Sequence, residues 1–514
     1  MLIICGVLAG SAWGQAPVAS GPNHVPPSLP SGGRAGESDG AGRTKAEDQG
    51  GEGVHPGRDS GGGPPPFFPT GPTPYRYLRY EEDFRYLKDP ARRTDPWDPL
   101  KFIPMNPKAT SYLTLGGETW QRFEGYHNPI FGQAPTNRRG YSNLDLQRYI
   151  LFGDLHLGEE VRIFGQFKSG LENYRAGGPR FFDKDVGDIG QLFLDVSRRD
   201  GAGGKWTLRT GCQELAYGGL RLIDIRDGTN VHLAFDGLRT ISERGDRRLD
   251  AFLSKPVETN PGAFDDRPDP NQTFWGVYGV RPLAGLPGGH LDYYYLGLRR
   301  NRAQFVQGIA RETRHSLGTR WWGNSGPWDY NAEFVSQFGT FGNVPISAGA
   351  ATADVGYTWA NQPGTPRLGL TTVAASGGYG MGARTLGSNN PLFPTGAYFN
   401  RVPDLLGPTN ILAVHPKLTV LPTPKVRVVT DWAFFGRTSL DDGIYGLVAN
   451  LIRPANGNRS RFIGSALSGE AQWQVNPHLA VVGAYTHIFP GSFLLRTGPR
   501  DAEDFVTAFI DYRF

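Results

Sequence analysis

The last ten residues of the chain, Phe505–Phe514, alternate between two kinds of side chain. Apolar and aromatic residues take every second position: Val506, Ala508, Ile510, Tyr512 and Phe514. The polar positions between them include Thr507, Asp511 and Arg513. Because strand side chains alternate with a period of two, this segment predicts a strand that is apolar on one face and polar on the other. Such a strand, about ten residues long and ending on an aromatic, is typical of a transmembrane β-barrel. An edge strand of a soluble β-sandwich is the alternative that this segment alone leaves open.

The composition favours the barrel over the sandwich. The 514 residues include 72 Gly, 11 Trp, 21 Tyr and 30 Phe, which suits strands whose apolar residues are diluted by polar ones facing a lumen. A membrane-spanning helix is excluded because no apolar run reaches about 18 residues. The net charge is only +4, since 53 basic residues nearly cancel 49 acidic ones, so no nucleic-acid partner is indicated.

The amino-terminal part predicts export from the cytoplasm and a separate leader. Residues 1–14 form a short apolar segment ending in small residues, typical of a signal peptide, although the basic residues that normally begin one are missing. Residues 15–75 are rich in Gly, Pro and charge and predict a disordered periplasmic leader. Residues 76–110 predict a short periplasmic lead-in, with one helix or turn under the barrel floor. Removal of Cys5 with the signal would leave Cys212 as the only thiol, which excludes a disulfide or a cysteine metal cluster.

From residue 111 to 514 the period-two pattern recurs, and it predicts an all-β, antiparallel transmembrane barrel. The predicted strands number eighteen, and single-chain bacterial barrels have an even strand number. They are residues 112–124, 144–157, 161–170, 191–196, 205–212, 235–241, 249–253, 274–280, 291–299, 315–322, 328–338, 352–358, 367–376, 411–421, 426–435, 462–475, 479–486 and 505–514. Short turns such as 476–478 alternate with long polar segments such as 377–409, which predicts short periplasmic turns and long outer loops.

A barrel of this size is expected to leave an aqueous lumen rather than a packed core. The polar strand faces supply the candidate site residues. The basic ones are Arg122, Arg148, Arg162, Lys168, Arg209, Arg299, Arg320 and Arg427, and the acidic ones are Glu118, Glu124, Asp154, Asp195 and Glu333. Rings of Arg or Lys select anions in pores, and arginine suits carboxylates. The alternative for each residue is a structural charge pair across the wall.

Several segments together resemble the alginate export family of outer-membrane barrels. They are residues 145–158, 161–172, 211–218, 263–268, 390–394, 441–445 and 483–493. The resemblance covers about residues 110–514, and it implies an eighteen-stranded barrel in the bacterial outer membrane with an electropositive constriction that exports an acidic polysaccharide. Arg148 and Arg162 lie where the resemblance and the inward-facing pattern agree.

Catalytic chemistry is not indicated by the motifs. The paired carboxylates Asp265–Asp266 and Asp441–Asp442 are more simply explained by loop turns than by acid-base or metal chemistry. No catalytic residue, metal or cofactor is therefore predicted. The expected partners are an acidic polysaccharide, outer-membrane lipid and lipopolysaccharide, and periplasmic export components. The expected function is passive export of an alginate-like polymer through an anion-selective channel. A diffusion porin for small anionic solutes and an adhesion or assembly barrel are the alternatives.

Overall fold

The computed structural model describes residues 74–137, 139–285, 288–396, 398–399 and 406–514. The signal peptide predicted at residues 1–14 and nearly all of the leader predicted at 15–75 lie outside these ranges.

The described chain forms a closed antiparallel barrel of eighteen strands, as the alternation predicts. The strands are β1 Tyr112–His127, β2 Tyr141–Leu157, β3 Val161–Asn173, β4 Asp185–Arg199, β5 Gly204–Gln213, β6 Phe235–Arg244, β7 Arg247–Glu258, β8 Gln272–Pro282, β9 Gly289–Phe305, β10 Gly308–Ser325, β11 Trp328–Phe341, β12 Val344–Thr358, β13 Arg367–Ala375, β14 Ile411–Thr423, β15 Val426–Gly436, β16 Phe462–Gln474, β17 Leu479–Pro490 and β18 Glu503–Arg513. Each strand pairs with the next in the chain, and β18 pairs with β1 to close the cylinder.

Most outward side chains of the strands are apolar, whereas the inward side chains include most of the charged residues together with a set of aromatic rings. Leu151 and Ile510 on the outer face are 56% and 49% exposed, whereas Glu118 and Arg148 on the inner face are each 2% exposed. The same alternation holds in β18, where Val506 is exposed and Thr507 is buried. This distribution inverts that of a soluble protein, and it matches a barrel whose outer surface meets lipid.

The two ends of the barrel differ in the length of their connections. One end carries short turns, such as residues 158–160 between β2 and β3 and residues 245–246 between β6 and β7. Gly245 has a φ of 52°, which an ordinary residue rarely adopts, and this permits the two-residue turn. The other end carries connections as long as residues 376–410 and 437–461. The chain enters β1 and leaves β18 at the short-turn end, which is therefore the predicted periplasmic side.

Helices are few and short. They are the 3-10 turns Arg79–Glu81, Arg85–Lys88 and Pro90–Arg92 and the α-helices α1 Asp98–Lys101, α2 Pro129–Gly132 and α3 Ser492–Thr497. In the described ranges, four two- or three-residue strands complete the elements: Ile103–Pro104, Arg267–Pro268, Ile444–Tyr445 and Leu451–Arg453. Among the described residues, every helix is too short or too polar to cross a bilayer.

Two connections from the long-loop end fold back into the bore. We call residues 214–234 the first inward loop and residues 376–396, 398–399 and 406–410 the second inward loop. They meet each other, because the backbone N–H of Asp224 donates to the carbonyl of Phe393 at 2.9 Å and that of Phe393 donates to the carbonyl of Leu222 at 2.9 Å. Their apolar residues pack with inward-facing aromatics of the wall in one cluster that includes Tyr217, Phe235, Phe274, Tyr278, Tyr294 and Phe393.

The expectation of an aqueous lumen is therefore wrong for this part of the bore. The sequence places the second inward loop among polar outer segments, yet residues 388–396 are buried inside the barrel. Where the loops meet the wall, a small cavity of about 10 Å³ lies beside Arg221, Glu333 and Tyr398. That volume holds about one water molecule.

Residues 74–110 comprise the end of the predicted leader and the predicted lead-in (76–110), and we call them the lead-in from here on. They enter the bore from the short-turn end instead of lying under it. Leu78 and Tyr80 pack against the inward rings of Phe152, Phe164 and Phe193. Nearer the short-turn end, Phe84, Leu87 and Phe102 pack with Tyr75 and Tyr112. The apolar positions of the lead-in do not repeat with a strand or helix period, so the sequence alone did not reveal this packing.

Candidate functional site

Twelve of the thirteen predicted site residues lie on the inner face of the barrel wall. Eleven of these twelve are buried, and Arg162 is half-buried with 16% of its side chain exposed. They are Arg122, Arg148, Arg162, Lys168, Arg209, Arg320, Arg427, Glu118, Glu124, Asp154, Asp195 and Glu333. The alternation thus assigns the face of these residues correctly, whereas a role in transport is not established by this placement.

Arg299 is the exception, because the structure places it on the outer face. It is exposed in β9 and shares its parity with the exposed Tyr293, whereas Asp292 and Leu298 are buried on the inner side. The pairing of β9 with β10 stays regular from Gly289 to Arg300, so no bulge reverses the faces before Arg299. Residues seven positions apart on a regular strand lie on opposite faces, so Arg299 cannot share the inner face with Asp292, and the prediction that Arg299 lines the pore is wrong.

Three arginines of the wall form what we call the arginine row, made of Arg162, Arg209 and Arg239. Arg162 of β3 is the cross-strand partner of Asp195 in β4, and Asp195 is the partner of Arg209 in β5. Arg209 in turn lies directly opposite Arg239 in β6. Two like charges in this arrangement destabilise a sheet unless other groups compensate.

Carboxylates and a lead-in tyrosine provide this compensation. Arg209 binds both carboxylate oxygens of Asp195 at 2.7 and 2.8 Å, and Arg239 Nε donates to Asp250 at 2.9 Å. Tyr80 fills the space between the two arginines. The guanidinium carbon of Arg209 lies 4.2 Å from the centre of its ring, and Arg239 Nη1 lies 3.4 Å from its hydroxyl oxygen.

A second charged cluster surrounds Glu118 of β1. Arg148 Nε donates to its carboxylate at 2.7 Å, and Arg79 of the lead-in also binds it. Arg513 of β18 lies 3.4 Å away. The Arg148 side chain also reaches the first inward loop, where it donates a hydrogen bond to the carbonyl of Asp227 at 2.7 Å. One buried carboxylate therefore connects the wall and the lead-in, and Arg148 extends this network to an inward loop.

The remaining predicted residues pair locally. Arg162 binds Asp154 at 2.7 Å, and Lys168 binds Asp266 at 2.6 Å. Further pairs are Arg122 with Glu124, Arg320 with Asp292 at 3.0 Å, and Glu333 with the hydroxyl of Tyr294 at 2.8 Å. Arg427 differs, because its nearest carboxylate, Glu470, is 3.9 Å away and its guanidinium makes no hydrogen bond within the described residues.

The first inward loop contributes charged groups that sequence analysis missed. His232 lies 2.8 Å from Glu214 and 3.0 Å from Asp227. Burial and Arg148 oppose protonation of His232, but these two carboxylates hold its pKa above the usual value. Burial also raises the pKa of Asp224 to about 6. The loop has no strand periodicity, so no sequence pattern predicted that these groups would reach the bore.

Three carboxylates at the long-loop end, those of Asp188, Asp265 and Asp266, lie within 4.8 Å of one another. Lys168 already neutralises Asp266, and Asp188 accepts the backbone N–H of Asp266 at 2.9 Å. These contacts organise the loop, as the sequence interpretation of this acidic pair suggests.

The outward apolar belt, the inward charges and the asymmetric ends define an outer-membrane β-barrel channel of bacteria. Residues 111–508 match the family model described as alginate export, and the chain belongs to the alginate export family. No curated protein sequence matches the chain.

Solved Pseudomonas aeruginosa structures share the barrel fold at low sequence identity. OpdQ matches with a TM-score of 0.52 at 12% identity, and the match covers 78% of this chain and 98% of OpdQ. OccK9 (OpdG) matches with a TM-score of 0.51 at 12% identity and the same coverage. OccK2 (OpdF) in complex with glucuronate has a TM-score of 0.50 at 12% identity, covering 78% of this chain and 97% of that one. At this identity the likeness concerns the fold alone.

Proposed function

We propose that the protein is a passive outer-membrane channel for an anionic, alginate-like polysaccharide, with the arginines of the bore as its substrate path. The observation that carries this proposal is the arginine row, in which Arg209 and Arg239 face each other inside the wall. Guanidinium groups bind carboxylates through paired hydrogen bonds and keep their charge at any physiological pH. Neighbouring carboxylates such as Asp195 and Asp250 limit the attraction, so that a polymer can move on.

A second candidate is a porin for small anionic solutes. The two inward loops favour it, because they fill bore volume that a polymer would need. OccK2, which shares the barrel fold, has been crystallised with glucuronate, a small anionic sugar acid. The dependence of channel block on substrate length separates the two candidates. Uronate oligomers should block the current of an exporter more strongly than glucuronate does, whereas neutral oligosaccharides of the same length should not block it.

Planar-bilayer recordings test the proposed electrostatics. In a salt gradient the wild type should prefer anions, and the preference should weaken between 0.1 and 1 M salt, because the screening length falls from about 10 to about 3 Å. Arg148→Glu combined with Arg162→Glu should reduce or reverse the preference. Arg299→Glu is the matched control, since this arginine is exposed on the outer face.

Thermal unfolding in detergent establishes that each variant remains folded. A folded double variant with unchanged selectivity would refute the basic path, and the absence of ion conduction in the wild type and in every folded variant would refute the channel.

A further inference from the structure

Tyr80 of the lead-in occupies the arginine row in the way that a bound ligand would. Its backbone carbonyl accepts a hydrogen bond from Arg162, its ring lies under the Arg209 guanidinium, and its hydroxyl lies within reach of Arg239. The same hydroxyl donates to the carbonyl of Glu214 in the first inward loop at 2.9 Å. Tyr80 is 5% exposed, and Arg209 and Arg239 beside it are 3% and 2% exposed.

A sugar acid offers the same kinds of contact. Its carboxylate and hydroxyl oxygens accept hydrogen bonds from guanidinium groups, and its ring presents a face on which a guanidinium can stack. The contacts of Tyr80 and of a uronate unit would use the same three side chains, so the two cannot be bound there together.

The lead-in is joined to the wall differently from the inward loops. Both inward loops continue into barrel strands at each end, whereas the described lead-in joins a barrel strand only at its carboxyl end, before Tyr112. At the short-turn end, two hydrogen bonds to His478 attach the lead-in to the barrel. The Tyr75 hydroxyl lies 2.8 Å from Nδ1 of His478, and the Asp95 carboxylate lies 2.6 Å from Nε2 of His478. Withdrawal also breaks the Arg79–Glu118 ion pair and the packing of Leu78 and Tyr80, a cost that a substrate bound in the row would have to offset, whereas the hydrogen bonds between the barrel strands stay in place.

Tyr77 extends the contact from the lead-in to the first inward loop. Its hydroxyl donates to Asp224 at 2.6 Å, close to the junction of the two inward loops at Phe393. Withdrawal of the lead-in would therefore uncover the arginine row and also remove one support of the inward loops.

We propose that the lead-in is a releasable internal plug: Tyr80 occupies the arginine row in the closed state, and a uronate substrate competes with it for Arg162, Arg209 and Arg239. This inference rests on the proposed channel function and names the regulation of the same site. Opening corresponds to withdrawal of residues 74–84 toward the short-turn end, while the barrel strands keep their pairing.

Single-channel recordings of full-length Tyr80→Ala test the plug. The variant removes the ring and hydroxyl from the row, and we expect its open probability to exceed that of the wild type about tenfold. Tyr80→Phe keeps the ring under Arg209 but loses the hydroxyl, so an increase of about threefold is expected. Tyr86→Ala is the matched control, because Tyr86 lies in the same lead-in with 39% of its surface exposed.

Glucuronate supplies the second readout. It should reduce the current through Tyr80→Ala at lower concentration than through the wild type, because its site is no longer occupied. Thermal unfolding checks that the variants retain the barrel. Equal open probabilities and equal glucuronate block in the wild type and both Tyr80 variants would overturn the plug, while leaving anion selectivity and the proposed function intact. Loss of anion preference in every form, or no conductance in any of them, would instead overturn the proposed function together with the plug.

Discussion

At the scale of single residues, Glu118 joins three separate parts of the chain through one buried charge. Its buried carboxylate is shared by Arg148 at 2.7 Å, Arg513 at 3.4 Å and Arg79. Desolvating this many charges is costly, and the cost is recovered only while the carboxylate balances the guanidinium groups around it. The cluster is therefore sensitive to the loss of its acidic member.

Replacing Glu118 with alanine should destabilise the protein strongly. Three guanidinium groups would lose a common partner, and breaking a buried ion pair typically costs about 3–5 kcal/mol. Urea unfolding in lipid vesicles measures the change. Glu159→Ala is the control, since its side chain in the β2–β3 turn is 80% exposed and should change stability by less than about 0.5 kcal/mol. Similar small changes for both variants would contradict the structural role of Glu118.

Residue faces were predictable from the sequence, but residue partners were not. Period-two alternation placed twelve of thirteen site residues inside, and it failed at Arg299 because the strand's parity was not followed through. Partners such as Asp227 and Tyr80 belong to segments without strand periodicity. Their positions depend on how loops fill the bore, which no local pattern encodes.

At the scale of elements, the lead-in contains a buried lysine among aromatic rings. Lys101 Nζ lies 4.9 Å from the ring centre of Phe84, 5.4 Å from that of Tyr75 and 5.5 Å from that of Phe152. It has no hydrogen-bond partner within the described residues. Burial lowers its pKa from 10.5 to about 8.

This shift predicts that the stability of lead-in docking depends on pH. Between about pH 8 and pH 10.5 the released lysine binds more protons than the buried one, so docking is favoured as the pH rises through this window. Below about pH 8 the charge is buried at a cost, and Lys101→Met removes that cost. Hydrogen exchange of residues 74–102 should therefore be several-fold slower in Lys101→Met than in the wild type at pH 7, and the ratio should approach one near pH 10.5.

Comparing the two proteins at the same pH cancels the intrinsic pH dependence of exchange. Lys88→Met is the control, because Lys88 is an exposed lysine of the same lead-in. Faster exchange of Lys101→Met at pH 7 would mean that the aromatic rings stabilise the ammonium by more than burial costs it.

The strands were predictable as elements, whereas the inward loops were not. Each of the eighteen predicted strands overlaps one observed strand, although many observed strands extend further. β10, for example, runs from Gly308 to Ser325, while the sequence predicted residues 315–322. The alternation weakens where a strand extends beyond the apolar belt, because both of its faces are polar there. The predicted strands are therefore shorter than the observed ones.

At the scale of the whole molecule, the barrel has its charges inside and its apolar residues outside. Leu151, Leu253 and Leu317 on the outer face are each at least 50% exposed to the surroundings of the chain. In water this surface would promote aggregation, whereas in a bilayer it provides the contact with acyl chains.

Leu151→Arg should therefore be costly even though its site is exposed. The side chain lies within the seventeen-residue strand β2, and a basic residue facing lipid at the bilayer centre costs about 2–4 kcal/mol. Unfolding in vesicles should show this loss. Met381→Arg is the control, since Met381 is 85% exposed in the second inward loop and lies outside the barrel strands. Equal stability of the two variants would contradict the lipid-facing assignment of β2.

The closure of β18 on β1 sets an order for assembly. Glu118 touches Arg79, near the first described residues, and Arg513, next to the last residue of the chain. During synthesis Arg79 is made long before Arg513. The cylinder is complete only after β18 has been made. The cluster of Arg79, Glu118 and Arg513 can therefore be complete only after β18 has closed on β1.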